Sequence, residues 1–203
     1  MTIKTPNIAV VILAAGTSSR MGSPKQLLKW KNTTLLGHAI ATAKGLNQRQ
    51  VIVVLGANFE QIRSTINNDH IEILKNNNWE TGLGKSIAIG VSNILKSDTN
   101  FDGVLVMLAD QPLIDQSYFK KMLTKYRLGA SQIITTAYKN GKQGVPVLFD
   151  RVYFEELSQL NDDKGAKGIL RTYADKVTVI DAQHDVSDID TQDDYEKLYK
   201  ANH

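Results

Sequence analysis

The sequence predicts an α/β sandwich built on a mostly parallel sheet, and three observations predict it. Ile8–Leu13, Val51–Leu55 and Gly103–Leu108 are continuously apolar rather than alternating, the pattern of strands buried on both faces. Each gives way, after a polar or glycine-containing loop, to a segment whose apolar residues recur at helical spacing. Later in the chain, Gln132–Ala137 and Val145–Phe149 flank a polar, hairpin-like connection from Tyr138 to Gly144, which adds a strand pair and makes the sheet mixed.

Taken in order, Ile8–Leu13 is the first and a central strand. It breaks at Ala14-Ala15-Gly16 into a loop of small residues that carries Thr17, Ser18, Ser19, Arg20 and Lys25 with Gly22 and Pro24. Gln26–Trp30 and a Lys31-Asn32 turn lead to a helix from about Thr34 to Leu46, with Leu36, Ile40 and Ala43 on its buried face and Gly45 at its end. Val51–Leu55 is the second strand. A helix over Asn58–Asn67 buries Phe59, Ile62 and Ile66, and Ile71–Leu74 is a short third strand.

The polar loop Asn76–Gly84 precedes a helix over Ser86–Lys96, which places Gly82, Gly84, Lys85 and Ser86 at a helix N-terminus. Gly103–Leu108 ends in Ala109-Asp110-Gln111-Pro112, and Asp115 caps a helix to about Arg127. After the strand pair come a helix through about Leu160, a charged glycine loop (Asn161–Gly168), a short helix Ile169–Ala174 and a last strand Val177–Ile180. Thr191 is the N-cap of a C-terminal helix, with Asp193 and Asp194 in its first turn. Asp190, just outside that helix, is left free for chemistry.

Composition narrows the function. A chain of 203 residues with 42% hydrophobic content can bury one sizeable core. A net charge of +3, no long basic run and 7% aromatic residues argue against nucleic-acid binding. No run reaches the length of a membrane span and MTIKTPN has no signal-peptide core, so a soluble, cytoplasmic protein is expected. The absence of cysteine excludes disulfides, zinc–thiolate sites, iron–sulfur clusters and thiol nucleophiles. His38, His70, His184 and His203 lie far apart and read as surface or packing residues. Gly84-Lys85-Ser86 lacks the first glycine of a P-loop, where Trp79 stands, and Gly82-Leu83-Gly84 lacks the third glycine of a dinucleotide fingerprint, where Ile87 stands.

What remains is the first loop. A buried strand ending in Ala, Gly and Ser lets backbone N–H groups approach an anion unobstructed. Arg20 and Lys25 in the same loop point to a polyphosphate. Asp110 lies just past the carboxyl end of a buried strand, where open α/β sheets place ligands. It reads either as a metal ligand or as an Asx-turn residue before Pro112. If its strand neighbours the first at a topological switch point, the loop and the carboxylate face each other across a phosphate site.

LAAGTSSRMGSPK closely resembles the L-A-A-G-x-S-x-R-M-G-x-P-K signature of the MobA-like nucleotidyltransferases, and within them the molybdenum cofactor cytidylyltransferase branch. The resemblance continues through Asn77–Gly82 and Ser86, Leu108-Ala109-Asp110-Gln111-Pro112, Gly144–Phe149, Asp163-Lys164-Gly165-Ala166 and Asp188-Ile189-Asp190-Thr191. It implies a three-layer, Rossmann-like nucleotidyltransferase fold in one domain over residues 1–203, with a nucleotide-binding N-terminal half and an acceptor-binding C-terminal half. The implied reaction is Mg²⁺-dependent transfer of CMP from CTP to the terminal phosphate of molybdenum-loaded molybdopterin, releasing pyrophosphate. A molybdoenzyme or its chaperone is the implied protein partner.

Residue by residue, the resemblance assigns Leu13, Ala14, Ala15 and Gly16 to the nucleotide, Arg20 and Lys25 to the phosphates, and Gly82 and Ser86 to the pyrimidine. Asp110 and Asp190 would bind Mg²⁺, with Asp188 the other acidic candidate. Ala15 stands where the guanylyltransferase branch has glycine, which favours CTP over GTP. Two other readings remain open: a cytidylyl- or guanylyltransferase with a different phosphorylated acceptor, and a carrier of the molybdenum cofactor that does not turn over.

Overall fold

The computed structural model describes residues 5–67, 70–138, 141–182 and 188–203. In chain order the strands are β1 (Ile8–Ala14), β2 (Lys29–Trp30), β3 (Thr33–Thr34), β4 (Gln50–Leu55), β5 (Glu72–Lys75), β6 (Gly103–Leu108), β7 (Ile133–Ala137), β8 (Gln143–Asp150) and β9 (Val177–Asp181). β2 and β3 form a small antiparallel ribbon, and the others make one sheet in the order β5-β4-β1-β6-β8-β7-β9. Within that sheet only β8 runs against its neighbours; every other pairing is parallel.

The helices are α1 (Leu35–Lys44), α2 (Phe59–Arg63), α3 (Leu83–Lys96), α4 (Gln116–Lys125), α5 (Phe154–Ser158), α6 (Lys167–Thr172) and α7 (Gln192–Asn202). Strand periodicity divides the core into two halves. Ile8, Val10 and Ile12 of β1 pack with Leu36 and Ala39 of α1 and with Phe119 and Met122 of α4. Ala9, Val11 and Leu13 pack with Ile87 and Val91 of α3 and Leu157 of α5. The result is three layers. Every residue of β1 is buried, which is why the strand carries no polar face. Each such Ile, Val or Leu contributes about 1.5–3 kcal/mol by leaving water.

The chain moves outward from β1 through β4 to β5, then crosses back to β6 on the other flank of β1. That reversal makes the crevice between the carboxyl ends of β1 and β6 the topological switch point. Leu13 pairs with Leu108, and the Ala109 N–H donates to the Leu13 carbonyl at 3.2 Å, so the two following loops leave the sheet side by side.

Several bounds differ from the sequence expectation. α3 begins at Leu83 rather than Ser86, which draws the glycine loop directly into the helix start. α2 stops at Arg63 rather than Asn67. There the Ser64 and Thr65 hydroxyls donate back to the Gln61 and Ile62 carbonyls at 2.8 Å, a local alternative to continued helix. Ile66 still packs against the core through the turn.

The β2–β3 ribbon was expected only as a polar turn; it seats Trp30 in a third cluster with Leu35, Ile189 and α7 residues Tyr195, Leu198 and Tyr199. Thr191 and Asp194 close the predicted N-terminus of α7 as a reciprocal capping box. His38 bonds the Pro112 carbonyl, and His203 stacks on Tyr199 beside Trp30; His184 lies outside the described residues. Among those residues no helix is long and apolar enough to cross a membrane.

Candidate active site

A cavity of about 330 Å³ opens at the switch point. One wall is the backbone from Leu13 to Gly16. Gly16 faces open space, with nothing within 4 Å of where a side chain would begin. Gln26 holds this loop in shape. Its side chain is 2% exposed and its amide donates to the Ala14 carbonyl at 2.9 Å and the Gly16 carbonyl at 3.0 Å. Ser18, in the left-handed region at φ 57°, turns the loop, and its hydroxyl accepts from the Lys25 N–H at 2.9 Å. A small-residue loop is thereby fixed from beneath by a buried amide.

Lys25 reaches from that loop to the other wall. Its ammonium pairs with Asp110 Oδ2, lies 3.7 Å from Asp190 Oδ1 and donates to the Ile189 carbonyl at 3.2 Å. The Asp110 side chain is 14% exposed, and its Oδ1 is buried without a hydrogen-bond partner. An orphaned carboxylate oxygen facing a cavity is costly unless a cation completes it.

Asp188 lines the same cavity and accepts from the Gln111 amide at 2.7 Å. Enclosure by the protein first, and the like charge of Asp110 second, raise the Asp188 carboxyl above the ordinary carboxylate range; Asp190 adds to the rise. Gln111 is itself buried and also donates to the Tyr138 hydroxyl at 2.9 Å. Burial pushes that phenol up to about 12. Three carboxylates thus converge on one lysine. Among the described residues, no three His, Cys, Asp or Glu side chains form a ready metal cage.

The far end of the cavity is built by the glycine loop. Gly82 has φ +112°, and a Cβ there would lie 2.4 Å from the Asp163 Cα, so both conformation and crowding demand glycine. Ser86, in the first turns of α3, is 2% exposed. Its hydroxyl accepts from the Asn76 amide at 3.0 Å. Asn76 is fully buried and accepts in turn from the Asn78 N–H at 2.9 Å.

The structure therefore brings Leu13, Ala14, Ala15, Gly16, Lys25, Gly82, Ser86 and Asp110 onto one cavity. Asp190 meets Lys25 from outside the lining, with its side chain 56% exposed. Arg20 stands apart: it is exposed and does not line the cavity. Sequence reasoning missed Gln26, Asn76, Gln111 and Trp79. Gln111 and Trp79 lie inside motif segments but were given no role there; Gln26 and Asn76 adjoin such segments, and a polar side chain beside an apolar or glycine-containing stretch was the available signal for them.

The model of the MobA-like NTP transferase domain matches residues 10–177. The chain belongs to that family. Over 205 residues, 96% of each chain, this MobA-like protein is 29% identical to the nicotine blue oxidoreductase of Paenarthrobacter nicotinovorans. The crystal structure of an Rv0371c homologue from Mycobacterium sp. strain JC1 is 33% identical and superposes with a TM-score of 0.80 over 96% of both chains. Rv0371c of Mycobacterium tuberculosis H37Rv, solved in complex with manganese, is 28% identical with a TM-score of 0.76, covering 96% of this chain and 99% of that one. The MobA-like family makes this chain a nucleotidyltransferase, and the three-layer sandwich is its fold.

Proposed function

We propose that the chain is a Mg²⁺-dependent cytidylyltransferase that moves CMP from CTP to the terminal phosphate of molybdenum-loaded molybdopterin in the cytoplasm, with a molybdoenzyme or its chaperone receiving the product. One observation carries the nucleotidyl-transfer reading: the anion-type loop, Lys25 and Asp110 meet at the switch point between β1 and β6. The family resemblance supplies the acceptor.

In this reading the Ala14–Gly16 backbone and Lys25 cradle the triphosphate, with Arg20 reaching in from its exposed position. Gly82 and Ser86 receive the pyrimidine. An acceptor phosphate oxygen attacks the α-phosphorus, the α–β phosphoanhydride bond breaks in line, and pyrophosphate leaves. Positioning and electrostatic stabilisation supply the catalysis, so no protein nucleophile is required.

The residues present fit a divalent ion. Asp110 offers an unpartnered buried oxygen, and Asp188 and Asp190 stand beside it. Mg²⁺ takes one or two carboxylates together with phosphates and water, so a complete protein cage is not expected. Asp110 and Asp190 would hold the ion, which neutralises phosphate charge when bound. Lys25, which pairs with both carboxylates, would then be free for the phosphates.

The test is pyrophosphate release with Mg²⁺, each of the four NTPs and molybdenum-loaded molybdopterin. Release with CTP that depends on the acceptor is expected. CTP binding without release would turn the search to other phosphorylated acceptors or to a carrier role. Oxidation of NADH or NADPH in place of release would overturn the reading.

A further inference from the structure

Trp79 stands between two cavities. It lines the base end of the 330 Å³ cavity beside Gly82 and Ser86, and also a neighbouring cavity of about 600 Å³ walled by Thr17, Asn58, Phe59 and Lys75. Its position is set by Gly56. A Cβ at residue 56 would lie 2.5 Å from the Trp79 Cβ, 2.7 Å from the Ala15 carbonyl oxygen and 2.9 Å from the Ala15 Cβ. Glycine at 56 therefore lets Trp79 close against the Ala15 loop. The backbone holds the same junction, because the Ala57 N–H donates to the Ala15 carbonyl at 3.0 Å. Trp79 also opens the short 3-10 turn Trp79–Thr81 that delivers Gly82.

We infer that Trp79 is the specificity-determining wall of the base pocket: it confines a pyrimidine against Gly82 and Ser86 and excludes a purine. The inference rests on the nucleotide reading of the site. A purine carries a fused second ring beyond the pyrimidine, and in this reading that ring runs into Trp79, which lines both the cavity and its neighbour. The Ala15 methyl, packed where residue 56 would carry its own, backs the wall from the loop side. Truncating Trp79 removes a side chain that the two cavities share, and shape exclusion in an apolar pocket is worth about 10- to 200-fold in selectivity.

The experiment is calorimetric titration of the full chain with Mg²⁺ and CTP, UTP, GTP or ATP, for wild type, Trp79→Ala and Trp79→Phe, with far-ultraviolet circular dichroism and a cooperative thermal melt as the check on folding. Wild type is expected to prefer pyrimidines by about tenfold or more. Trp79→Ala should close that gap by at least about tenfold, chiefly through tighter purine binding, with Trp79→Phe between the two. If Trp79→Ala weakens all four nucleotides alike, Trp79 is a stacking platform and the inference falls. Should Trp79→Ala fail to fold, Trp79→Phe decides by the same ratio. Wild-type binding of purines as tight as of pyrimidines sinks the inference and leaves the nucleotide reading standing. Binding of none of the four removes both.

Discussion

Replacing Gln26 by leucine tests whether the phosphate-type loop is shaped by its own sequence or by the amide beneath it. Leucine keeps the volume and apolar contacts of the buried side chain but removes both donors. The bonds lost are those donated to the Ala14 and Gly16 carbonyls, at 2.9 and 3.0 Å, and a long one accepted from the Ser18 hydroxyl at 3.5 Å. Each is worth about 1 kcal/mol net. The Gly16 side can recover water because that residue is exposed, whereas Ala14 is 5% exposed and its bond is buried. A loss of about 2–3 kcal/mol follows, with the upper end reflecting the desolvated carbonyl.

In urea this should move the midpoint down by about 1 M at unchanged m-value. The same change frees the loop, and re-ordering one residue's backbone costs about 1–2 kcal/mol. Nucleotide affinity measured by calorimetry should therefore fall by about 5- to 30-fold. A stability change under about 0.5 kcal/mol together with unaltered affinity would show that the loop holds itself, and the role given to Gln26 would be wrong.

Asp110→Asn should leave the fold intact and lower Mg²⁺-dependent pyrophosphate release by at least about a hundredfold; wild-type turnover at saturating Mg²⁺ would take Asp110 out of the metal site. Asp188 has a folded pKa above its ordinary 3.8, so the native state keeps a proton that the unfolded chain has lost, and stability falls as pH rises through that window. Without a divalent ion, Asp188→Asn should thus melt higher than wild type at pH 7, with the difference vanishing below the ordinary value; equal melting curves at pH 7 would contradict the cost of holding that carboxylate ionised in its enclosure beside Asp110. Asn76→Ala should cost about 1–2 kcal/mol, chiefly by removing the buried donor to the Ser86 hydroxyl, since the exposed Asn78 can turn to water. CTP affinity should drop in parallel, and a stable variant with unchanged affinity would show that Ser86 is held without Asn76.

The central strands were legible because burial on both faces leaves one signal, an unbroken apolar run, and β1, β4 and β6 carry it. The switch-point site was legible for a related reason: Ala14-Ala15-Gly16 and Asp110 sit where those runs stop, so finding the strands finds the loops. What stayed hidden is what the third dimension supplies. Gln26 reads as one polar residue in a loop until its carbonyl partners come from residues earlier in the chain. Asn76 is one of three consecutive asparagines, and nothing local says which is buried. Trp79 looks like part of a motif, and its approach to Gly56 and Ala15 joins segments brought together by the pairing of β4 with both β1 and β5. Helix ends were misplaced where hydroxyl side chains or glycine decided them, at Ser64 and Gly82.

Ile189 gives the site a place in the order of synthesis. Its N–H donates to the Asp110 carbonyl, its own carbonyl accepts from Lys25, and its side chain is buried against Trp30 with the tyrosines of α7. All seven strands of the main sheet precede this residue in the order of synthesis. A nascent chain ending at Asp181 would hold the glycine loop, Lys25 and Asp110, yet lack Asp188, Asp190 and the helix that seats them. The crevice is outlined by residues made early and completed by residues made late, so a chain cut short at Asp181 would carry the Lys25–Asp110 pair without the two carboxylates that stand beside it.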